Sequence, residues 1–171
     1  MIDITIRCCK EKDYRQLAEM KWLHGAEGDI DYGEHNLDGV EKEKFISEFV
    51  RFLKDHDDYR IFVAEENNII ISAMFVSLIP KIPRPNGKAE NISYLTNVFT
   101  LKEYRNKGIG TELLKYIKAY LADLKCELIL VFPSCNSIKW YERNGFTNEN
   151  EVFVCELTEE QIIMQRRDFC V

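Results

Sequence analysis

No run of the sequence is apolar for long enough to cross a bilayer, which takes about 20 residues of helix. The chain opens Met1-Ile2-Asp3, without a basic segment leading into an apolar one. A secretory signal is therefore not expected, and a cytoplasmic location is. Basic charge is short as well: 23 Lys and Arg face 29 Asp and Glu, a net charge of −6 at pH 7, which argues against a general nucleic-acid binder. The six cysteines (Cys8, Cys9, Cys126, Cys135, Cys155 and Cys170) include no Cys-x-x-Cys pair, so no zinc site is expected. Cys8, Cys126 and Cys155 lie in strand-like runs, where a thiol acts as a small apolar side chain. No repeat and no linker divides the sequence. The 171 residues are expected to form one domain, 1–171, large enough for a real core.

What is present centres on Asn97 to Thr111 and the residues that follow. Tyr94 to Thr100 is β-branched and aromatic, which suits a strand. Leu113, Leu114, Ile117, Tyr120, Leu121 and Leu124 fall at helical spacing on one face. Between strand and helix, Gly108 and Gly110 let bare backbone approach a ligand. The first amides of a helix lack intrahelical partners and carry partial positive charge, which suits a phosphate. Arg105 and Lys107 add full charge beside it. A Walker loop would need Gly-Lys-Ser/Thr, but Thr111 follows Gly110 directly. A dinucleotide fingerprint would need a third glycine where Leu113 stands.

The pattern that fits is Arg-x-x-Gly-x-Gly at Arg105, Gly108 and Gly110. It resembles the acetyl-coenzyme A loop of the GNAT family of N-acetyltransferases. A second segment, SCNSIKWYERNGF from Ser134 to Phe146, is similar to that family's short helix carrying a tyrosine and ending in Gly-Phe, here Tyr141, Gly145 and Phe146. The resemblance covers residues 4–157 and leaves 158–171 as a C-terminal extension. Ile162, Ile163 and Met164 there suit a short helix against the body or a partner, which leaves a homodimer open.

Taken in order, Ile4 to Cys9 reads as a strand, with Asp13 as a helix cap before Tyr14, Leu17, Met20 and Leu23. His24 to Gly39 is polar, breaker-rich and longer than an ordinary connection, which suggests a functional loop. A second helix runs from Val40 to Lys54, with Phe45, Ile46, Phe49, Phe52 and Leu53 inward. Tyr59 to Glu65 and Ile69 to Ile79 form a hairpin about Asn67-Asn68. Glu127 to Phe132 reads as a buried strand and Val152 to Leu157 as a last strand. Periodicity alone yields an α/β domain.

The resemblance implies a single GNAT-type domain with a mixed, mostly antiparallel central sheet flanked by helices, its central strands splayed around the pantetheine arm. It implies acetyl-coenzyme A as cosubstrate, touched by Val98, Phe99, Thr100, Arg105, Asn106, Lys107, Gly108, Ile109, Gly110, Thr111, Ser134, Asn136 and Ser137. It makes Tyr141 the acid that protonates the departing thiolate. The acceptor is expected to be a primary amine on a small molecule or basic peptide, not nucleic acid or membrane. An ammonium must first lose a proton, and many family members keep a carboxylate on the central strand for this. Asn91 to Leu101 contains none. Glu90, and Glu27, Asp29, Asp31, Glu34 and His35 in the long loop, are the alternatives. The loop carboxylates are also expected to attract a cationic amine. A binder that senses acetyl-coenzyme A without turning it over is the competing reading, and a nucleotide-phosphate binder a more distant one.

Overall fold

Five strands make one sheet in the spatial order β1-β2-β3-β4-β5. The structure, a computed structural model, describes residues 4–26, 39–83, 85 and 91–148. The strands are β1 (Thr5–Cys8), β2 (Tyr59–Glu66), β3 (Ile69–Pro80), β4 (Asn91–Thr100) and β5 (Cys126–Leu130). The first four pair antiparallel, and β5 joins β4 in parallel. The expected last strand at Val152 to Leu157, the C-terminal extension and the loop carboxylates Glu27, Asp29, Asp31 and Glu34 lie outside the described residues.

The β2–β3 hairpin follows from its turn chemistry. Asn67 (φ 51°) and Asn68 (φ 65°) both take the left-handed conformation that a two-residue hairpin turn requires, and asparagine adopts it at low cost. Helices cover both faces of the sheet. Helix α1 (Tyr14–Ala26) packs on α2 (Gly39–Asp55) and on β3 and β4. Leu17, Met20 and Leu53 cluster there with Ile61, Val63 and Phe75 of the sheet. Phe62, between Ile61 and Val63 in β2, must face the other way. There its ring meets Tyr116 and Tyr120 of α3 (Ile109–Asp123) at 6.0 and 5.0 Å.

Three expectations change. Asp13 does not cap α1 through its first-turn amides. It ends a short 3-10 turn, Glu11–Asp13, and accepts from the Lys10 amide (2.6 Å) and from both Arg7 terminal nitrogens (2.6 and 3.0 Å). Arg7 also pairs with Glu65, so this half-buried cluster ties β1, β2 and the entry to α1 together. Burial works to raise the Asp13 carboxyl, but Arg7 and the Lys10 amide outweigh it and hold it below the usual carboxylate range. In α2, Phe52 is not inward: it is 42% exposed and stacks on His56 at 4.2 Å. Strand β5 is shorter and less buried than its apolar run suggests. It ends at Leu130, and Phe132 is 67% exposed.

The chain forms two compact units, Met1–Ile138 and Lys139–Val171. The first holds the sheet, α1, α2 and α3. The described part of the second holds most of α4 (Ile138–Arg143) and the turn after it.

Candidate functional site

Strand β4 carries two departures from regular pairing. The first is a bulge. Thr96 pairs with Phe75 and Phe99 with Ala73, so Asn97 and Val98 together oppose Met74. Asn97 has φ 47°, the left-handed conformation that the first residue of a G1-type bulge takes. The inserted residue resets the alternation of faces. Leu95 pairs with Val76 and Phe99 with Ala73, so these two residues, four apart in β4, point to opposite sides. Phe99 thereby joins the core under α1, where the His24 ring stacks on it at 4.7 Å.

The second departure is on the other edge. Pairing with β5 stops at Tyr94 and Leu130, while β4 continues to Thr100. The segment Leu95 to Thr100 thus has one edge without a strand partner from β5. Side chains fasten the closed end: Ser93 Oγ donates to the Leu128 carbonyl (3.1 Å) and Asn91 Nδ2 to the Leu124 carbonyl (3.3 Å).

The open segment runs into the glycine turn. A 3-10 turn, Lys102–Tyr104, follows β4, and Asn106 (φ 60°) and Gly108 (φ 79°) bend the chain into α3. Gly108 stands at the N-cap and supplies no capping side chain, so the first-turn amides of α3 are not covered by one. A Cβ at Gly108 would meet nothing within 4 Å, so conformation rather than room selects glycine there. Gly110, in the first turn, adds no side chain of its own there. Arg105 folds back onto the strand. Its Nε donates to the Thr100 carbonyl (2.9 Å) and its guanidinium lies 5.2 Å from the centre of the Phe99 ring. Lys107 lies over the Tyr104 ring at 5.1 Å, and the Tyr104 hydroxyl donates to Glu66 (2.6 Å). Val98, Phe99, Thr100 and Arg105 to Thr111 are therefore one continuous feature.

On the α1 side of β4 a small pocket opens. Met20, Lys21 and His24 of α1 meet Asn97 and Phe99 of β4 across it, over an apolar floor that includes Phe49 and Phe75. Burial brings the Lys21 amine down from 10.5 to about 8. Sequence reasoning placed His24 in the loop and passed over Lys21. Yet Leu17, Met20, Lys21 and His24 fall at i, i+3, i+4 and i+7, the spacing of a single helix face.

Ser134 and Ser137 form a tight turn after β5. The Ser137 amide and hydroxyl both donate to the Ser134 carbonyl (2.9 Å each), and Asn136 is exposed. In the second unit, Tyr141 is 6% exposed. Gly145 (φ 79°) ends α4 in a Schellman motif: the Phe146 amide donates to the Tyr141 carbonyl (3.1 Å) and the Gly145 amide to the Glu142 carbonyl (2.9 Å). The Phe146 ring packs edge-on against Tyr141 at 5.2 Å, the apolar contact that accompanies this motif. The Tyr-x-x-x-Gly-Phe spacing thus has a local structural reason. Among the described residues, no group of three or more His, Cys, Asp or Glu is placed to hold a metal ion, and no helix is long and apolar enough to cross a membrane.

Comparison with known proteins agrees with this geometry. The family model for the acetyltransferase (GNAT) domain matches residues 57–148, more than half of the chain. The chain belongs to the GNAT acetyltransferase family. No curated protein matches it in sequence. Among solved structures, it resembles a predicted acetyltransferase with acetyl-CoA from Clostridium acetobutylicum, with a TM-score of 0.67 and 22% identity over 91% of this chain and 97% of that one. Glucosamine-6-phosphate N-acetyltransferase from Arabidopsis thaliana gives 0.64 and 18%, over 91% and 99%. An integron cassette protein from V. cholerae gives 0.75 and 13%, over 98% and 99%. At such identities the likeness is one of fold. The α/β class and the mostly antiparallel sheet flanked by helices stand as expected.

Proposed function

We propose that the chain transfers the acetyl group of acetyl-coenzyme A to a primary amine, working as one domain. The observation that carries this reading is the open edge of β4, Leu95 to Thr100, leading through the glycine turn into an α3 N-terminus without a capping side chain. Strand amides and carbonyls on such an edge suit the amide-rich pantetheine arm. The N-terminus of α3, where Gly108 and Gly110 carry no side chain and Glu112 is paired with Lys115, suits the pyrophosphate through backbone N–H groups and the helix dipole. Arg105 braces the turn against β4, and Lys107 contributes positive charge at its rim.

The chemistry divides among four groups. A β4 amide between Val98 and Thr100 polarises the thioester carbonyl. The amine nitrogen attacks, the C–S bond breaks, and Tyr141 gives its proton to the departing sulfur. The carboxylates Glu27, Asp29, Asp31 and Glu34 attract the acceptor, and one of them takes its proton through water. Ser134, Asn136 and Ser137 contact the cofactor beyond the end of β5.

Thiol release from acetyl-coenzyme A over a panel of amines tests the reading. A cationic polyamine or basic peptide should outperform a neutral amine, and its kcat/KM should fall as salt rises. Coenzyme A binding without thiol release for any amine would favour a sensor that does not turn its ligand over.

A further inference from the structure

The pocket beside β4 holds an amine of the protein itself against the strand proposed to bind the thioester. Lys21 reaches it from α1, and its β4 wall is Asn97 and Phe99. Those two residues belong to the segment that β5 leaves open. The bulge at Asn97 and Val98 sets the Asn97 and Phe99 side chains toward α1 rather than α3. One short piece of backbone therefore borders the lysine on one side and the proposed cofactor channel on the other.

We propose that Lys21 is a self-acetylation site, whose Nζ attacks the thioester of acetyl-coenzyme A bound along β4 when no better acceptor is present. The inference rests on the acetyl-coenzyme A reading above. In this step a C–N bond forms between Nζ and the acetyl carbonyl carbon, and the C–S bond breaks. The proton lost from Nζ ends on the coenzyme A thiol. Nothing is oxidised or reduced, and no other reactant enters.

The amine is suited to this. An ordinary lysine is almost wholly protonated at neutral pH and offers no lone pair. Burial lowers Lys21 to about 8, so about a tenth of it is neutral at pH 7 and about half at pH 8. His24 is the other titratable group on the pocket wall. The lining side chains of α2, β3 and β4 (Phe49, Ala73, Phe75, Asn97 and Phe99) carry no charge. Acetylation would make the side chain neutral at every pH and remove the charge that burial disfavours.

The test incubates the full chain with acetyl-coenzyme A and no acceptor, between about pH 6 and about pH 10, and follows acetyl occupancy at each lysine by peptide mass spectrometry. Lys21 should be modified at least about tenfold faster than the exposed Lys10 and Lys12. Its rate should level off above about pH 8, while theirs keep rising. Lys21→Arg should lose the fast phase in the intact mass. A thermal shift with coenzyme A separates the two ideas. If coenzyme A binds but Lys21 reacts no faster than Lys10, or if Lys21→Arg keeps the fast phase, self-acetylation is overturned and the binding reading stands. If coenzyme A does not bind, both fall.

Discussion

Replacing Lys21 with methionine should make the protein more stable at neutral pH, although it removes a side chain from the core side of a helix. Bringing an amine from 10.5 down to about 8 corresponds to about 3 kcal/mol against its charged form, at about 1.4 kcal/mol per pH unit. Lys21 is partly exposed, so solvent screens it and the realised gain is set at about 1–2 kcal/mol. Methionine keeps a flexible apolar stem of similar length against Met20 and Phe49 without the charge. The sign can be checked through pH. The folded chain loses the Lys21 proton near pH 8 and the unfolded chain near 10.5, so between those values the unfolded state holds more protons and wild-type stability rises with pH. The advantage of Lys21→Met should be full below about pH 8 and shrink to about a quarter of that by pH 10. Urea unfolding of both proteins at pH 7 and pH 10, with unchanged m-values, gives the comparison. A variant that is no more stable at pH 7, or whose advantage is the same at both pH values, would show that desolvation does not dominate the energetics of the Lys21 amine.

Three further outcomes follow from separate parts of the molecule. Asp13→Asn should destabilise by about 2–3 kcal/mol at pH 7, since it leaves Arg7 short of a buried partner. Because the folded Asp13 carboxyl lies below its unfolded value of about 3.9, the difference should shrink as pH falls through the folded value; equal differences in urea melts at pH 7 and pH 3 would contradict the ion pair. Asn97→Val should cost about 1–2 kcal/mol in the same assay, because a β-branched residue resists φ 47°, while Asn97→Gly should be tolerated; a harmless valine would mean that the bulge is not fixed by that residue. Tyr141→Phe should lower turnover by about 10²-fold with coenzyme A affinity unchanged, and undiminished turnover would reduce Tyr141 to the packing partner of Phe146.

Much of the frame was legible because it rests on local chemistry. Two asparagines between alternating runs announce a hairpin turn, and glycines between a strand and an amphipathic face announce the β4–α3 turn. What escaped depends on pairing or on a neighbour. The bulge at Asn97 leaves no trace in period-two counting, since its one extra residue shows only against β3. Where β5 stops pairing is set by the divergence of its backbone, so Glu127 to Phe132 looked like a longer buried strand. Asp13 has a cap-like position, but Arg7, on the adjacent strand, captured it. Lys21 was overlooked because a lysine reads as surface, though its place on the Leu17–His24 face marked it for burial. Arg105 was legible as a charge beside the glycines, but not as the brace onto Thr100.

The most direct measurement is calorimetric titration of acetyl-coenzyme A into the wild-type chain and into Gly110→Val, with circular dichroism confirming that the variant is folded. Saturable binding to the wild type is predicted. It should weaken by at least about tenfold when valine side-chain atoms are added at position 110 in the first turn of α3, a loss of about 1.4 kcal/mol. No binding to the wild type, or equal affinity in a folded Gly110→Val, would contradict the assignment of the β4 edge and the α3 N-terminus as the acetyl-coenzyme A site.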